Sequence, residues 1–247
     1  MIQQHSTHQI SPEQYKKFQQ AQQAVKEGNL VSLQNLFTKS SKFLKSKTPM
    51  LLNNACSYGN KDAFLFLVHQ AQKQKLTFDP RLLVAASYGG SVPLTSHLLP
   101  LLNIPLHEQD PLYQEALISA STQGHEKMVK FLKPYVQDKK VLGDALSWAC
   151  LNGQERVVKI LLSKETASHD TFRPLQWAIK GKHEHIIVLL MPHSNLNQAV
   201  NAGRKKFAMP DNIVQEVKVM VERSQLHQKL SHAVKKKNKV PPPSRKM

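Results

Sequence analysis

Two cysteines and twelve histidines are the residues of this 247-residue chain best suited to chemistry. A cysteine beside a histidine can act as a thiolate nucleophile. Cys56 and Cys150 are too few for a disulfide framework and lack the paired spacing of a zinc site. Both occupy the same place in two copies of a repeated pattern, where other copies carry Ala, Ser or Ile. We therefore interpret them as reduced, buried thiols with a structural role.

The remaining candidates for catalysis or metal binding have the wrong spacing. His183 and His185 are two residues apart and diverge around a helix, whereas helical zinc motifs place ligands four residues apart. The glycines are scattered singly and form no phosphate-binding loop. No carboxylate pair recurs near a candidate base. The sequence thus predicts no catalytic residue, cofactor or metal, and a Cys-dependent enzyme is the disfavoured alternative.

Composition indicates a folded protein with a basic excess at its two ends. Apolar residues make up 40% of the chain, which is enough for a core. The first 47 residues contain 7 lysines and 2 glutamates, and residues 204–247 contain 12 basic and 3 acidic residues. The start lacks a secretory signal, and no apolar run approaches the roughly 18 residues of a membrane span. We expect a soluble intracellular protein, located in the cytoplasm or nucleus.

A pattern of about 30 residues recurs six times along the chain. Each copy has a short first helix, a marker residue that ends it, and a second helix. The markers are Gly28, Gly59, Gly89, Gly124, Gly153 and Lys182. Glycine suits this place because it adopts the left-handed conformation that closes a helix. One helix pair cannot bury its own apolar face, so the copies are expected to stack.

Two sets of positions carry the predicted core. Small residues stand four and three places before the marker: Ala24 and Val25, Ala55 and Cys56, Ala85 and Ala86, Ala120 and Ser121, Ala149 and Cys150, and Ala178 and Ile179. Apolar residues follow the marker by about four, five, eight and nine places, as in Val157, Val158, Leu161 and Leu162. That spacing is typical of one buried helical face.

The pattern resembles the ankyrin repeats. Arg173-Pro174-Leu175-Gln176 stands where the family has Thr-Pro-Leu-His, and His125 and His183 follow the marker as the family's histidine does. The resemblance covers roughly residues 21–202. It implies an all-α, ankyrin-like solenoid of about six helix-turn-helix repeats, with His183 supporting its turn. Lys182 replaces the usual glycine, and Pro93 interrupts the expected start of a second helix. The copy at Gly89 and Gly90 aligns one residue either way.

Helical caps are expected at both ends of the solenoid. Ser11 as N-cap, Pro12 in the first turn and Gln14 three places after the cap predict a helix start. We assign residues 1–10 to a disordered N-terminus, 11–203 to the solenoid and 204–232 to a C-terminal capping helix with Asp211 as its N-cap. Residues 233–247 combine a lysine run with three prolines and are expected to form a basic disordered tail.

Trp148 and Trp177 are the most promising binding residues. They stand five places before consecutive markers and should therefore lie side by side. They are either partly buried between first helices or anchors for a partner. By the resemblance, the two places before each marker face the concave side. The predicted partner-binding residues are Tyr58, Tyr88, Gln123, Trp148, Asn152, Trp177 and Lys180.

These features predict a monomeric scaffold that binds another protein on its concave face. The Lys- and Gln-rich composition is similar to the ankyrin-repeat effectors that intracellular bacterial pathogens deliver into host cells, which would place this chain in the host cytoplasm. The alternative is binding of nucleic acid or another acidic surface through the basic C-terminal segment, which requires affinity that falls with salt.

Overall fold

The protein was analysed as a computed structural model, which describes residues 10–39, 42–102, 104, 110–162 and 172–190, and positions 215, 219, 222, 223, 226 and 230. The chain divides into two compact units, Met1–Ala145 and Leu146–Met247, and the division falls inside one helix. The described residues contain helices and turns and no strand. None of their helices is both long and apolar enough to cross a membrane.

The first unit contains nine α-helices among its described residues, followed by the start of a tenth. They are α1 (Pro12–Glu27), α2 (Leu30–Lys39), α3 (Lys42–Ser46), α4 (Thr48–Ser57), α5 (Lys61–Lys73), α6 (Leu82–Gly89), α7 (Val92–Leu102), α8 (Pro111–Gln123) and α9 (Glu126–Leu132). A 3₁₀ turn, Lys133–Tyr135, extends α9. Helix α10 (Lys139–Leu151) begins in this unit and ends in the next.

Within the first unit the helices form two layers. The first helices α1, α4, α6 and α8 each pack against the next along the chain. The second helices α2, α5, α7 and α9 do the same. Each first helix also contacts its own second helix, for example α4 against α5. This nearest-neighbour packing is the solenoid arrangement expected of helical repeats.

The second unit continues the pattern with the end of α10, then α11 (Glu155–Leu161), α12 (Phe172–Lys180) and α13 (Glu184–Leu190). The second helices α11 and α13 pack against each other, and α12 packs against α13. The predicted capping helix is described at six positions, which are all helical and exposed. Its boundaries, Asp211 and the basic tail lie outside the described residues.

The first helix begins as predicted. The Ser11 hydroxyl accepts a hydrogen bond from the Gln14 backbone N–H at 3.2 Å, and the Gln14 side chain accepts one from the Ser11 N–H at 3.1 Å. This reciprocal pair satisfies two of the amide groups that a helix start leaves open. Pro12 stands in the first turn, where a missing N–H costs nothing. The same tolerance explains Pro93, which is the second residue of α7 and does not delay its start.

The marker residue takes the left-handed conformation in every copy. The φ angle is +69° at Gly28 and Gly59, +80° at Gly124, +73° at Gly153 and +57° at Lys182. In the third copy the marker is Gly90, with φ +71°, and the assignment to Gly89 is wrong. Gly89 is the last residue of α6. Lysine therefore adopts at position 182 the geometry that glycine provides elsewhere.

The shift to Gly90 corrects the core positions of that copy. The small buried pair is Ala86 and Ser87, while Ala85 is half-buried. After the marker, Leu94, Thr95 and Leu98 are fully buried at the predicted spacing of four, five and eight. Counted from Gly89, exposed Pro93 and His97 would have fallen on the buried face. The other five copies bury the predicted small pairs throughout.

In five of the six copies the same hydrogen bond closes the first helix. The backbone N–H of the residue after the marker donates to the carbonyl of the alanine four places before it, as in Asn60 to Ala55 at 3.0 Å and His125 to Ala120 at 3.0 Å. Gln154 to Ala149 repeats the bond at 2.9 Å. This bond is the signature of a helix that ends in a left-handed residue. The marker conformation therefore fixes the direction in which the second helix departs.

Two glycines of the first unit should respond oppositely to substitution by alanine. A Cβ at Gly90 would lie 2.4 Å from the His125 ring in a left-handed conformation, so Gly90→Ala should lower the free energy of unfolding by roughly 1–3 kcal/mol. Gly143 lies inside α10 with nothing within 4 Å of an added Cβ, so Gly143→Ala should raise it by roughly 0.5–1 kcal/mol. Urea unfolding followed by circular dichroism measures both. Equal effects would contradict the geometry.

Candidate protein-binding site

The two cysteines are core residues. Cys56 and Cys150 are fully buried on α4 and α10. Burial in apolar surroundings raises the pKa of the Cys56 thiol to about 12 and also raises the pKa of Cys150. A thiol is a nucleophile only as the thiolate, which burial disfavours. The prediction of buried cysteines is confirmed, and burial makes either thiol a poor nucleophile.

Polar side chains after the markers reach back to the preceding copy. The His125 Nε2 donates to the Tyr88 carbonyl at 2.7 Å, and the His183 Nε2 donates to the Leu151 carbonyl at 2.9 Å. Asn60 Nδ2 donates to the Lys26 carbonyl at 3.1 Å. These carbonyls lie at the ends of first helices, where no helical N–H remains to bind them. His183 thus supports its turn, as the resemblance implied.

His185 has no comparable role. Its Nε2 lies 3.9 Å from a Glu155 carboxylate oxygen, and both side chains are about half exposed. The ring centroids of His183 and His185 are 6.2 Å apart, and His183 Nε2 already donates a hydrogen bond to the Leu151 carbonyl. Among the described residues there is no group of three His, Cys, Asp or Glu that could hold a metal ion.

Trp148 and Trp177 lie side by side, as predicted. Their ring centroids are 6.0 Å apart and the ring planes differ by 20°, which is a stacked pair between α10 and α12. Trp148 remains 44% exposed, and Trp177 is half-buried. The stack therefore combines partial burial between first helices with a large apolar surface open to solvent. Partial burial between first helices is confirmed, and the role of the pair as anchors for a partner stays a prediction.

Two further predicted residues extend the tryptophan pair. The Lys180 Nζ lies over the Trp177 ring, 4.8 Å from its centroid, and Lys180 is exposed. A cation over an indole face is attracted by the ring's negative face. The Asn152 Nδ2 donates to the Trp148 carbonyl at 2.8 Å and stays exposed at the end of α10. We call Trp148, Asn152, Trp177 and Lys180 the tryptophan cluster.

The other three predicted residues belong to the first unit. Tyr58 follows α4 and is 49% exposed, Tyr88 lies on α6 and is 50% exposed, and Gln123 ends α8 with an exposed side chain. They lie on or directly after three different first helices. Because the third marker is Gly90, Tyr88 is two places before its marker, and Tyr58 and Gln123 are one place before theirs.

An open groove between α1 and α4 was missed by the sequence analysis. It has a volume of about 590 Å³ and is lined by glutamines of α1 together with Lys26, Asn54 and Tyr58. Gln23 and Asn54 stand five places before their markers, which is the place of the tryptophans in later copies. This shared position in the repeat is the sequence feature that could have predicted the groove. We call this feature the amide groove.

Residues 82–173 match the family model of ankyrin repeats, in three copies. This segment of the chain carries ankyrin repeats. The matched segment spans helices α6 to α11 and the start of α12, and includes the markers Gly90, Gly124 and Gly153. No curated protein matches the chain.

Ankyrin repeats are protein–protein interaction modules and are typically not enzymes. Aromatic side chains that remain exposed on or directly after first helices, such as Trp148 and Tyr88, agree with a role in protein binding. The ankyrin repeats therefore indicate that the partner is a protein.

Alkaline pH should destabilise the protein through its thiols. The thiols are neutral when protonated and their pKa values are raised above the usual 9.0 in the folded state. Burial of the neutral thiols therefore makes its full contribution to the free energy of unfolding below pH 9. That contribution is lost as the pH rises through the folded-state pKa values of the thiols. The free energy of unfolding should fall by up to roughly 1 kcal/mol per thiol for each pH unit above 9.

The measurement is urea unfolding at several pH values for the wild type and for Cys56→Ala with Cys150→Ala. The double variant should be less stable at neutral pH because it leaves cavities, yet its stability should fall less steeply above pH 9. Equal slopes would mean that the thiols ionise freely in the folded protein.

The two neighbouring histidines should differ in their contribution to stability. His183→Ala removes the hydrogen bond to the Leu151 carbonyl and should lower the free energy of unfolding by about 1–2 kcal/mol. His185→Ala removes an exposed side chain and should change it by less than about 0.5 kcal/mol. Thermal and urea unfolding measure both. Equal losses, or a rise in melting temperature on adding Zn²⁺, would point to a shared function of the pair.

Proposed function

We propose that the protein binds another protein through the exposed side of its first helices, with Trp148 and Trp177 as the principal anchors. The observation that carries this proposal is the stacked tryptophan pair, whose Trp148 ring is nearly half open to solvent. Tyr58, Tyr88, Gln123, Asn152 and Lys180 are proposed as further contact residues. Exposed tyrosines and amides suit an adaptable polar and aromatic contact.

The tryptophans are not needed to form a repeat. At the same place, five residues before the marker, the earlier copies carry Gln23, Asn54, Ala85 and Ser119. Those copies bury the same small pair and form the same left-handed turn without an aromatic residue. Core formation therefore leaves the type of residue at this place free. Two tryptophans at a free, solvent-facing place favour a binding role.

The tryptophan cluster is also held in place before any partner arrives. Trp148 and Trp177 each lie one residue before the fully buried Ala149 and Ala178, on short helices packed in the core. The ring stack and Lys180 further restrict the indole of Trp177. A preorganised aromatic surface loses little side-chain entropy on binding, so more of its contact energy appears as affinity.

Removing both indoles should abolish capture of a partner without unfolding the protein. Trp148→Ala with Trp177→Ala removes two residues of the type that costs more than about 2 kcal/mol each in binding hot spots, so recovery of partners should fall at least about tenfold. The matched control is Val31→Ala with Leu65→Ala, which truncates two exposed apolar residues of the second-helix layer.

The measurement is affinity capture from cell lysate with quantitative mass spectrometry, using wild type and both double variants. Circular dichroism and urea unfolding check that all three remain folded. Partners retained by the wild type and the control but lost from the tryptophan variant support the proposal. Identical partner sets for all three proteins would contradict it.

A further inference from the structure

The amide groove is a separate polar surface of the first unit. Gln19, Gln22, Gln23 and Lys26 line it from α1, and Asn54 and Tyr58 line it from α4 and its end. These residues are exposed or half-buried, and none belongs to the core. Such a concentration of primary amides offers both donors and acceptors to a ligand.

Most of this hydrogen-bonding capacity is unused. Gln23 Nε2 donates to the Glu27 carboxylate. Within the described part of the chain, Gln19, Gln20 and Gln22 make no side-chain hydrogen bond, and neither does the Asn54 amide. Their partners in the free protein are water molecules, which a ligand of matching polarity can replace. Each replacement contributes modestly, so recognition needs several amides in a row.

The distance between these side chains along α1 is close to the residue repeat of an extended polypeptide. Gln19 and Gln23, like Gln22 and Lys26, are four residues apart and lie about 5–6 Å from each other on one face of α1. In an extended chain, residues on the same side repeat about every 6.6–6.8 Å. A segment running along α1 would therefore place two successive outward-facing groups near Gln19 and Gln23, or near Gln22 and Lys26. Side-chain amides can donate to a peptide carbonyl and accept from a peptide N–H at the same time.

The positive charge of Lys26 and of the whole chain favours an acidic segment as the ligand of the groove. Lys26 is the only ionic residue that lines the groove among the described residues, and it is exposed at the end of α1. The chain as a whole carries a net charge of +17, which attracts acidic partners over a distance. An acidic side chain of the segment placed near Lys26 would fix its register. Tyr58 provides an adjacent ring edge and a hydroxyl.

We propose that the amide groove binds an extended, acidic segment of a partner polypeptide. The side-chain amides of α1 and Asn54 pair with its main chain, and Lys26 pairs with one of its carboxylates. The proposal rests on the proposed function only in assuming that the exposed side of the first helices binds protein. It does not require the tryptophan cluster, which belongs to the other unit.

The test uses the full-length protein and three pools of short random peptides that differ only in a fixed central Asp, Asn or Lys. Each pool carries a fluorescent label, and the fraction retained by immobilised protein is measured. The wild type should retain the Asp pool about fivefold more than the Lys pool. Lys26→Glu should abolish or reverse that preference. Lys16→Glu, an equal charge change at an exposed position of α1 outside the groove, should leave it in place.

A second pair of variants tests the amides. Gln19→Ala with Gln22→Ala should lower retention of the Asp pool severalfold, because two amide contacts are lost. Gln72→Ala, at an exposed position of α5, should not lower it. Trp148→Ala with Trp177→Ala should also leave it unchanged, so failure of the tryptophan proposal and failure of this one are distinguishable.

Three outcomes would overturn the proposal. The first is equal retention of all three pools by the wild type. The second is a loss of preference that is the same for Lys16→Glu as for Lys26→Glu, which would indicate net charge without a site. The third is Lys26-dependent binding of a single-stranded RNA oligonucleotide in place of the acidic pool, which would assign the groove to nucleic acid.

Discussion

The left-handed turn at the end of each first helix is the constraint on which the rest of the structure depends. It lets the next backbone N–H reach the carbonyl of the alanine four places before the marker, as His183 does to Ala178 at 3.0 Å. The side chain of that same residue then reaches the preceding copy, as His183 does to the Leu151 carbonyl. One short stretch therefore closes a helix and also fastens it to its neighbour. Without the left-handed residue, neither bond has the right geometry.

Next to this turn, the first helix lies very close to the first helix of the preceding copy. A Cβ at Gly89 would lie 2.3 Å from the Cys56 carbonyl oxygen, and one at Gly181 would lie 2.6 Å from the Leu151 carbonyl oxygen. First helices of adjacent copies approach so closely there that only glycine fits. The same closeness explains the small residues three and four places before the marker. Side chains two and five places before the marker, such as Lys180 and Trp148, are exposed, so these places stay available to a partner.

Much of the fold could be predicted because one physical rule repeats six times. The burial of Ala149 and Cys150 and the capping box at Ser11 follow from spacing and side-chain chemistry, whereas the support given by His183 was implied by the resemblance to the ankyrin repeats. The register at Gly89 and Gly90 could not be predicted, since a left-handed φ costs little at either glycine. It is decided by the His125 ring, which packs against Gly90 from the next copy.

The candidate site was predictable in part for a similar reason. Equal places in consecutive copies bring Trp148 and Trp177 together, so their stacking follows from the repeat alone. The cation of Lys180 over the Trp177 ring depends on side-chain rotamers, which the sequence does not specify. The amide groove escaped notice because glutamines on a helix are equally typical of a solvated face. Only the placement of α4 beside α1 shows that these glutamines border a groove.

Lys182 shows how strongly the tertiary contacts impose the turn. A non-glycine residue in the left-handed region costs roughly 1–2 kcal/mol, yet Lys182 adopts φ +57° there. The bonds of His183 to Ala178 and Leu151, and the burial of Ile186 and Ile187 in α13, offset that cost. Since Trp177 precedes Ala178 on the same short helix, the contacts that force Lys182 into this conformation also fix the position of the indole. The proposed binding surface is therefore held by the core, and a partner would meet side chains whose backbone is already in place.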